Sequence, residues 1–125
     1  MNDFLDLKVG GRTKSVTVLE IKQVPNLGYH NKIQFICDSE EGHTFVIDEA
    51  LTRDSKGLLI CKGCWHTQDL HGGLNKDSAV AKILNYYKKQ TLRELIGVKI
   101  KAYPKQNNYL AIVGCDFDEE KEIRW

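Results

Sequence analysis

The segment CKGCWHTQDLHGG, residues 61–73, holds two of the four cysteines and two of the four histidines in the chain. Cys61 and Cys64 are separated by two residues, a spacing that lets both thiolates face one zinc ion. His66 and His71 are the candidate nitrogen ligands in the same segment. Because a single residue separates Cys64 from His66, closing a tetrahedral site within this segment alone would strain the loop. The better zinc hypothesis uses Cys61, Cys64, one of the two histidines and a more distant ligand.

Candidates for the distant ligand lie elsewhere in the chain, and the sequence leaves the choice among them open: they are Cys37, His43 and Cys115. The alternative is that the cysteines are free thiols that pack as small apolar groups. Since no signal peptide is visible at the N-terminus, we expect a cytoplasmic, reducing environment, which disfavours disulfides. We therefore expect either no cofactor or one structural zinc.

The same segment offers little basis for catalysis. A thioredoxin-like redox pair needs a βαβ setting with the motif at a helix start, whereas here a glycine-rich loop follows. Cys64 and His66 would share one face of a strand, but no third group that orients the histidine is evident. The chain contains no P-loop, nucleophile-elbow or dinucleotide-binding motif. We therefore expect no enzymatic activity. Trp65 would point the opposite way, and we expect it in the core, with a stacking surface as the alternative.

Three strands are predicted before this segment, at residues 15–24, 32–37 and 43–48. They are rich in β-branched and aromatic residues and alternate in polarity. Short breaks at 25–31 and 38–42 contain proline, glycine, asparagine or aspartate, the residues that turns favour. The short connections and the alternation predict an antiparallel meander.

The clearest helix is predicted over residues 77–90, where apolar side chains recur at helical spacing and Asp77 or Ser78 can cap the first turn. A second, shorter helical stretch is predicted at 91–97, because Thr91 and Glu94 form a capping-box pattern and Gly97 can end it.

The final elements are a hairpin and an acidic tail. Residues 98–103 alternate, so that Tyr103 is predicted to point outward, and residues 109–115 return after a turn. The stretch 50–76 is predicted to be rich in loops, with a short strand at 58–61 that leads into the Cys/His segment.

This order of elements is similar to that of the oligonucleotide/oligosaccharide-binding (OB) fold, in which a helix joins the third and fourth strands of a five-stranded Greek-key barrel. We therefore predict a mainly β (α+β) protein with an OB-like five-stranded antiparallel barrel. Its helix would be 77–90, and 50–76 would be a loop-rich insertion. The chain 1–125 would be one domain, with the barrel at about 13–115 and the tail at 116–125.

A further resemblance lies in LRELIGVKIKAYPKQNNYLAIV, residues 92–113. This stretch resembles the end of small OB-fold-like proteins of phages and mobile elements that bind single-stranded nucleic acid. In those proteins a short helix ends in a glycine and is followed by a basic strand, a turn and a final strand. The resemblance implies a binding surface between the first-to-second and the fourth-to-fifth strand loops.

In this chain those loops are 25–31 and 104–108. Single-stranded nucleic acid is held by aromatic rings that stack on bases and by lysines that follow the phosphates. Lys99, Lys101 and Lys105 would meet phosphates, and the tyrosines would stack. The predicted binding residues are Tyr29, His30, Lys32, Lys99, Lys101, Tyr103, Lys105 and Tyr109.

The charge pattern supports two functional hypotheses. The net charge is only +1, but residues 82–105 carry seven Lys/Arg and one acid, whereas 116–122 carries five acids and one lysine. The basic third favours a non-enzymatic module that binds single-stranded nucleic acid. The acidic segments 38–54 and 116–122 favour the alternative, a phage-type protein-interaction module that inhibits a host nuclease or defence system, as anti-CRISPR proteins do. Neither hypothesis involves a membrane.

Overall fold

The structure is a computed structural model, which describes residues 12–25, 30–105 and 109–123. These residues form one mixed sheet of seven strands in the order β3-β2-β1-β6-β7-β4-β5. The strands are β1 (Lys14–Val24), β2 (Lys32–Ser39), β3 (Thr44–Ile47), β4 (Glu49–Arg53), β5 (Leu59–Gly63), β6 (Lys99–Pro104) and β7 (Leu110–Val113). Helix α1 (Ala79–Tyr86) lies between β5 and β6 in the chain, and a short helix α2 (Glu119–Glu122) follows β7. The prediction of a mainly β protein with one main helix is confirmed.

The predicted meander is present, because β1 pairs antiparallel with β2 and β2 pairs antiparallel with β3. Alternating residues of β2, from Ile33 to Cys37, are buried, as the sequence pattern requires. A bulge at Leu19 shifts the β1–β2 register. The β2–β3 turn uses Gly42 at φ +87°, a left-handed conformation that glycine adopts without steric cost.

The two ends of the sheet come together because β3 and β4 are nearly one continuous strand. Only Asp48 separates Ile47, the last residue of β3, from Glu49, the first residue of β4. β3 pairs with β2, whereas β4 pairs antiparallel with β5 and parallel with β7. Consecutive Cα atoms are about 3.8 Å apart, so the sheet must curl until its ends are neighbours.

The predicted closed barrel of five antiparallel strands is therefore wrong. The sheet has seven strands in an open order, and its β4–β7 pairing is parallel. The stretch 50–76, expected to be a loop-rich insertion, contains most of β4 and all of β5, which form a hairpin. The alternation of polar and apolar residues does not reveal strand β4, because Ala50, Leu51 and Thr52 are all buried. Helix α1 packs against this strand.

Helix α1 is shorter than the predicted 77–90. Ser78 caps it, and its side-chain oxygen accepts a hydrogen bond from the Ala81 N–H at 3.1 Å. The chain leaves the helix after Tyr86, and Lys88 adopts a positive φ of 59°. The second predicted stretch is a 3₁₀ turn, Leu92–Leu95, which is followed by Gly97 at φ +85°. The capping box predicted for it is not formed: the Thr91 side chain makes no cap, and Glu94 accepts instead from the N–H of Gln90, the residue before the N-cap, at 3.0 Å.

The core consists of two hydrophobic clusters. The larger one joins the inner faces of β1, β2 and β6 to α1 and includes Phe35, Ile83 and Leu95, which are fully buried. The smaller one contains Leu51, Tyr103, Ala111 and Val113, and two residues of the acidic tail, Phe117 and Ile123, pack against it. The tail therefore folds back on the sheet. Within the described residues, no helix has the length and apolarity that a bilayer span requires.

Candidate nucleic-acid interface

The structure divides the predicted binding residues between two surfaces. Lys32 and Lys105 both act on Glu49, since the hydrogen bond from Lys105 and the nearby charge of Lys32 lower the pKa of that carboxyl. Lys99 and Lys101 lie on β6, opposite Thr17 and Ser15 of β1. The sequence analysis predicted that these four lysines line one groove, but Lys32 and Lys105 lie near Glu49, whereas Lys99 and Lys101 lie beside the start of β1.

The first surface is built around Lys32 and Trp65. The Lys32 ammonium lies 4.2 Å from the centroid of the Trp65 ring, a cation–π contact. Backbone hydrogen bonds hold the two residues opposite each other. The Ile33 N–H donates to the Cys64 carbonyl at 2.7 Å, and the His66 N–H donates to the Asn31 carbonyl at 2.7 Å. The start of β2 and the chain just after β5 are thus joined by a bridge that aligns both side chains.

A glycine makes this approach possible. A Cβ atom placed on Gly63 would lie 2.6 Å from the Lys32 Nζ and 2.7 Å from the Trp65 Nε1. Both separations are shorter than van der Waals contact, so a larger residue would displace the pair. Beyond Gly63, Lys62 and Trp65 line a small hollow of about 150 Å³. The indole therefore contacts the Lys32 ammonium and also lines a small hollow.

Lys105 extends this surface through Glu49. The Lys105 ammonium forms an ion pair with the Glu49 carboxylate, which also accepts a hydrogen bond from the Cys61 thiol at 3.1 Å. The bond to Glu49 raises the pKa of Lys105, so this lysine stays charged. Tyr109 lies beside Lys105, because its carbonyl accepts a hydrogen bond from the Lys105 N–H at 2.6 Å, and its side chain is 70% exposed.

We call Lys32, Trp65, Lys105 and Tyr109 the basic-aromatic face. Lys62 lines the hollow beside Trp65, but it alternates with Cys61 on β5 and therefore points to the opposite side of the β4–β5 hairpin from Glu49.

Sequence reasoning missed Trp65, which was expected in the core with a stacking surface as the alternative, whereas it is half-buried and belongs to neither hydrophobic cluster. No sequence signal pairs Trp65 with Lys32, because the bridge between them joins segments 33 residues apart. His30, also predicted, is exposed at the start of this region, and Tyr29 lies outside the described residues.

The second surface gives weaker support to the predicted roles. Lys99 forms an ion pair with Glu40 at 3.1 Å on the open surface, and Lys101 is exposed. Tyr103 does not point outward as predicted: it is fully buried, and its hydroxyl donates to Glu119 at 2.9 Å. The acidic tail covers this part of β6, and the Phe117 ring meets the Tyr103 ring edge-on with centroids 5.6 Å apart. Tyr103 is therefore unavailable for base stacking.

The predicted zinc ligands are not gathered around a common point. Cys64 is fully buried, and burial raises the pKa of its thiol. Burial and the Glu49 carboxylate raise the pKa of Cys61 to about 11, which keeps this thiol protonated. His66 hydrogen-bonds the Gln23 side-chain oxygen through Nδ1, and His71 is exposed. Across residues 12–25, 30–105 and 109–123, no group of three or more His, Cys, Asp or Glu side chains is arranged to hold a metal ion. The zinc hypothesis stays a prediction.

The distant ligand candidates are also separated. Cys37 is buried on β2, where desolvation raises its pKa to about 12, and it packs as the small apolar group that the sequence predicted. His43 is exposed in the β2–β3 turn, and Cys115 is half-buried after β7. All four cysteines are free thiols.

Comparison of the chain with family models, curated proteins and solved structures finds no match. Its function is therefore inferred from the residues and contacts described above.

Proposed function

We propose that the protein is a non-enzymatic module that binds single-stranded nucleic acid on the basic-aromatic face of an OB-like sheet. The observation that carries the proposal is the Lys32–Trp65 pair, together with Lys105, whose ion-pair partner Glu49 also lies in the field of Lys32. These are the residue types that single-strand binding uses, with rings for the bases and ammonium groups for the phosphates.

Three features of the sheet support the OB-like interpretation. Strands β1, β2 and β3 form a meander, α1 precedes the β6–β7 hairpin, and β6 returns beside β1. The parallel pairing of β4 with β7 links the chain after the meander to the last strand. Lys32 begins β2 and Lys105 follows β6, so both flank the connections that correspond to the binding loops of OB folds.

The indole of Trp65 is the proposed stacking platform. Lys32 covers one side of the ring, but an exposed cation–π contact is worth only about 0.5–1 kcal/mol. A stacked base contributes about 1–3 kcal/mol, so a base can replace the lysine on the ring. Lys32 would then be free to meet a phosphate. Tyr109, which is 70% exposed, offers a second ring.

Glu49 limits the strength of this surface. Its carboxylate neutralises Lys105 and also lies in the field of Lys32. Affinity for nucleic acid depends on how many phosphates are neutralised by cations. A face in which one carboxylate offsets two lysines is suited to moderate, salt-sensitive binding.

The alternative hypothesis, an acidic inhibitor of a host nuclease, depends on acidic groups that a partner can reach. Two tail carboxylates are instead engaged within the chain: Glu122 pairs with Arg53 at 2.7 Å, and Glu119 accepts from Tyr103. The single-strand hypothesis is therefore the better supported one.

Fluorescence anisotropy of a labelled single-stranded oligonucleotide tests the proposal, with a duplex as control. We expect saturable binding that weakens with salt and prefers the single strand. Trp65→Ala should weaken binding about 5- to 150-fold, which corresponds to the loss of about 1–3 kcal/mol of stacking. Lys56→Gln, at an exposed position of the β4–β5 turn, is the control and should change little.

Two further variants sharpen this test. Glu49→Gln should strengthen binding, because it removes the carboxylate that offsets Lys105. Lys32→Gln should weaken binding more than Lys101→Gln, because Lys101 lies on the other surface. Equal affinity for single strand and duplex, or a Trp65→Ala variant that binds like the parent protein, would refute the proposal.

A further inference from the structure

A second concave surface lies on the other side of the chain that carries Trp65. It is a cleft of about 610 Å³ between β1, the loop 66–74 and the 3₁₀ turn after α1. His66 lines this cleft, whereas its neighbour Trp65 lines the small hollow of the basic-aromatic face. Adjacent residues of an extended segment point to opposite sides, so the two surfaces are distinct.

The floor of the cleft is aliphatic. It is formed by Ile21, Ile33, Leu74, Leu92 and Ile96, and Ile96 is 49% exposed to solvent. No Phe, Tyr or Trp ring lines the cleft within the described residues, and the one imidazole, that of His66, is hydrogen-bonded to Gln23 at the wall. The cleft therefore offers a nucleobase less than it offers leucine, isoleucine or valine side chains, which would bury apolar surface against the floor.

The rim of the cleft is basic. Lys22 and Arg93 both line it, and no described aspartate or glutamate does. Neither cation forms an ion pair with another residue in the described part of the chain. Both side chains are exposed, so an anionic ligand could reach them without displacing an internal partner.

The walls of the cleft are anchored to the sheet. The Gly97 N–H donates to the Val18 carbonyl at 2.7 Å, and the buried side chain of Leu95 fixes the 3₁₀ turn on the core. On the opposite wall, the Asn75 N–H donates to the Thr67 carbonyl at 3.0 Å, and His66 bonds Gln23. A preformed apolar cleft with a few polar groups at its rim is the usual form of a binding site.

From these observations we infer that the cleft docks an acidic segment of a partner protein that carries aliphatic side chains. The leucine-like side chains of that segment fill the aliphatic floor, and its carboxylates meet Lys22 and Arg93. Polar contacts come from the Gln23 and Gln68 amides at the rim. The protein would then hold nucleic acid on one surface and a partner protein on another.

A synthetic peptide tests this inference with the full chain. The probe is a fluorescein-labelled peptide of about twelve residues in which leucines alternate with aspartates and glutamates. A second peptide keeps the acids and replaces each leucine by alanine. We expect saturable, salt-weakened binding of the leucine peptide and binding at least about tenfold weaker for the alanine peptide.

Matched variants locate the site. Arg93→Glu should weaken the leucine peptide at least about tenfold, because it places a carboxylate opposite the acidic segment. Ile96→Ser should weaken it through lost apolar contact. Lys56→Glu, at an exposed position away from the cleft, should leave the affinity within about twofold. Equal thermal stability of the Arg93→Glu variant and the parent protein ensures that the loss is local.

Several outcomes would overturn the inference. These are equal binding of the leucine and alanine peptides, no binding up to millimolar concentration, or unchanged affinity in Arg93→Glu. Displacement of the peptide by an oligonucleotide would assign the cleft to nucleic acid instead. Self-association that Arg93→Glu abolishes would assign it to a second copy of this chain.

The inference and the proposed function fail separately. Trp65→Ala should weaken the oligonucleotide and leave the peptide bound, whereas Arg93→Glu should do the reverse. Loss of oligonucleotide binding alone would therefore refute only the nucleic-acid proposal.

Discussion

Removal of one hydroxyl group, in the Tyr87→Phe variant, tests how strands β6 and β7 are joined. The Tyr87 hydroxyl donates to the Val113 carbonyl at 2.6 Å and accepts from the Lys101 N–H at 3.0 Å. The β6–β7 pairing ends nearby, at the pair Ala102 and Ile112. The phenol therefore continues the hydrogen bonding between β6 and β7 beyond their last paired residues. Burial raises the pKa of this hydroxyl, so it remains a donor at neutral pH.

The expected cost follows from the surroundings of the two backbone groups. Lys101 is exposed, so water can satisfy its N–H when the hydroxyl is removed, whereas Val113 is buried. A buried carbonyl left without its donor costs about 1–3 kcal/mol. With a urea dependence of about 2 kcal/mol per molar, the unfolding midpoint should fall by about 0.5–1.5 M.

Tyr86→Phe is the matched control for this urea titration. The Tyr86 hydroxyl donates at 2.8 Å to Asp116, which is exposed, so water can replace the lost donor at that carboxylate. We expect this variant to lose less than about 1 kcal/mol. Equal losses in the two variants, or a loss below about 0.5 kcal/mol in Tyr87→Phe, would refute the bridging role.

Three other predictions concern a carboxylate, a glycine and the thiols. The hydrogen bond from Arg53 lowers the pKa of Glu122 to about 2, below the unfolded value of about 4.3. Its contribution to stability is therefore present above that unfolded value and lost as pH falls toward 2. In urea titrations at several pH values, the free energy of unfolding of Glu122→Gln should fall less between pH values of about 4.3 and about 2 than that of the parent protein. An unchanged pH dependence would contradict the assignment. Gly63→Ala should shift the tryptophan emission spectrum and weaken oligonucleotide binding, because the new Cβ displaces Lys32 and Trp65; an unchanged spectrum and affinity would count against their close approach. The Cys37 thiol, whose pKa is raised to about 12 by burial, should react with an aromatic disulfide reagent only after unfolding, and rapid modification of Cys37 itself in the native protein, located by peptide mass spectrometry, would contradict its burial.

The local sequence pattern was sufficient to predict the helices and strands that bury a single face. The alternation in β2 and β6 and the apolar spacing in α1 each place a single set of side chains on the core, and the structure contains these elements. Ser78 caps α1 and Gly97 follows the 3₁₀ turn, as their residue types predicted. In these cases the interaction that decides the structure lies within a few residues in the sequence.

The remaining features depend on contacts between distant segments, which local pattern does not encode. Strand β4 shows no alternation because both of its faces are buried: α1 packs against it, and Leu51 lies in the hydrophobic cluster against which the tail residues Phe117 and Ile123 pack. Tyr103 stands at an outward position of β6, yet the tail residue Phe117 packs over it and Glu119 accepts its hydroxyl. The sequence by itself determined which residues are lysines and aromatics suited to nucleic acid. Only the tertiary structure decided that Lys32 meets Trp65 and that Lys99 and Lys101 face elsewhere, because the curl of the sheet brings β2 beside the chain after β5.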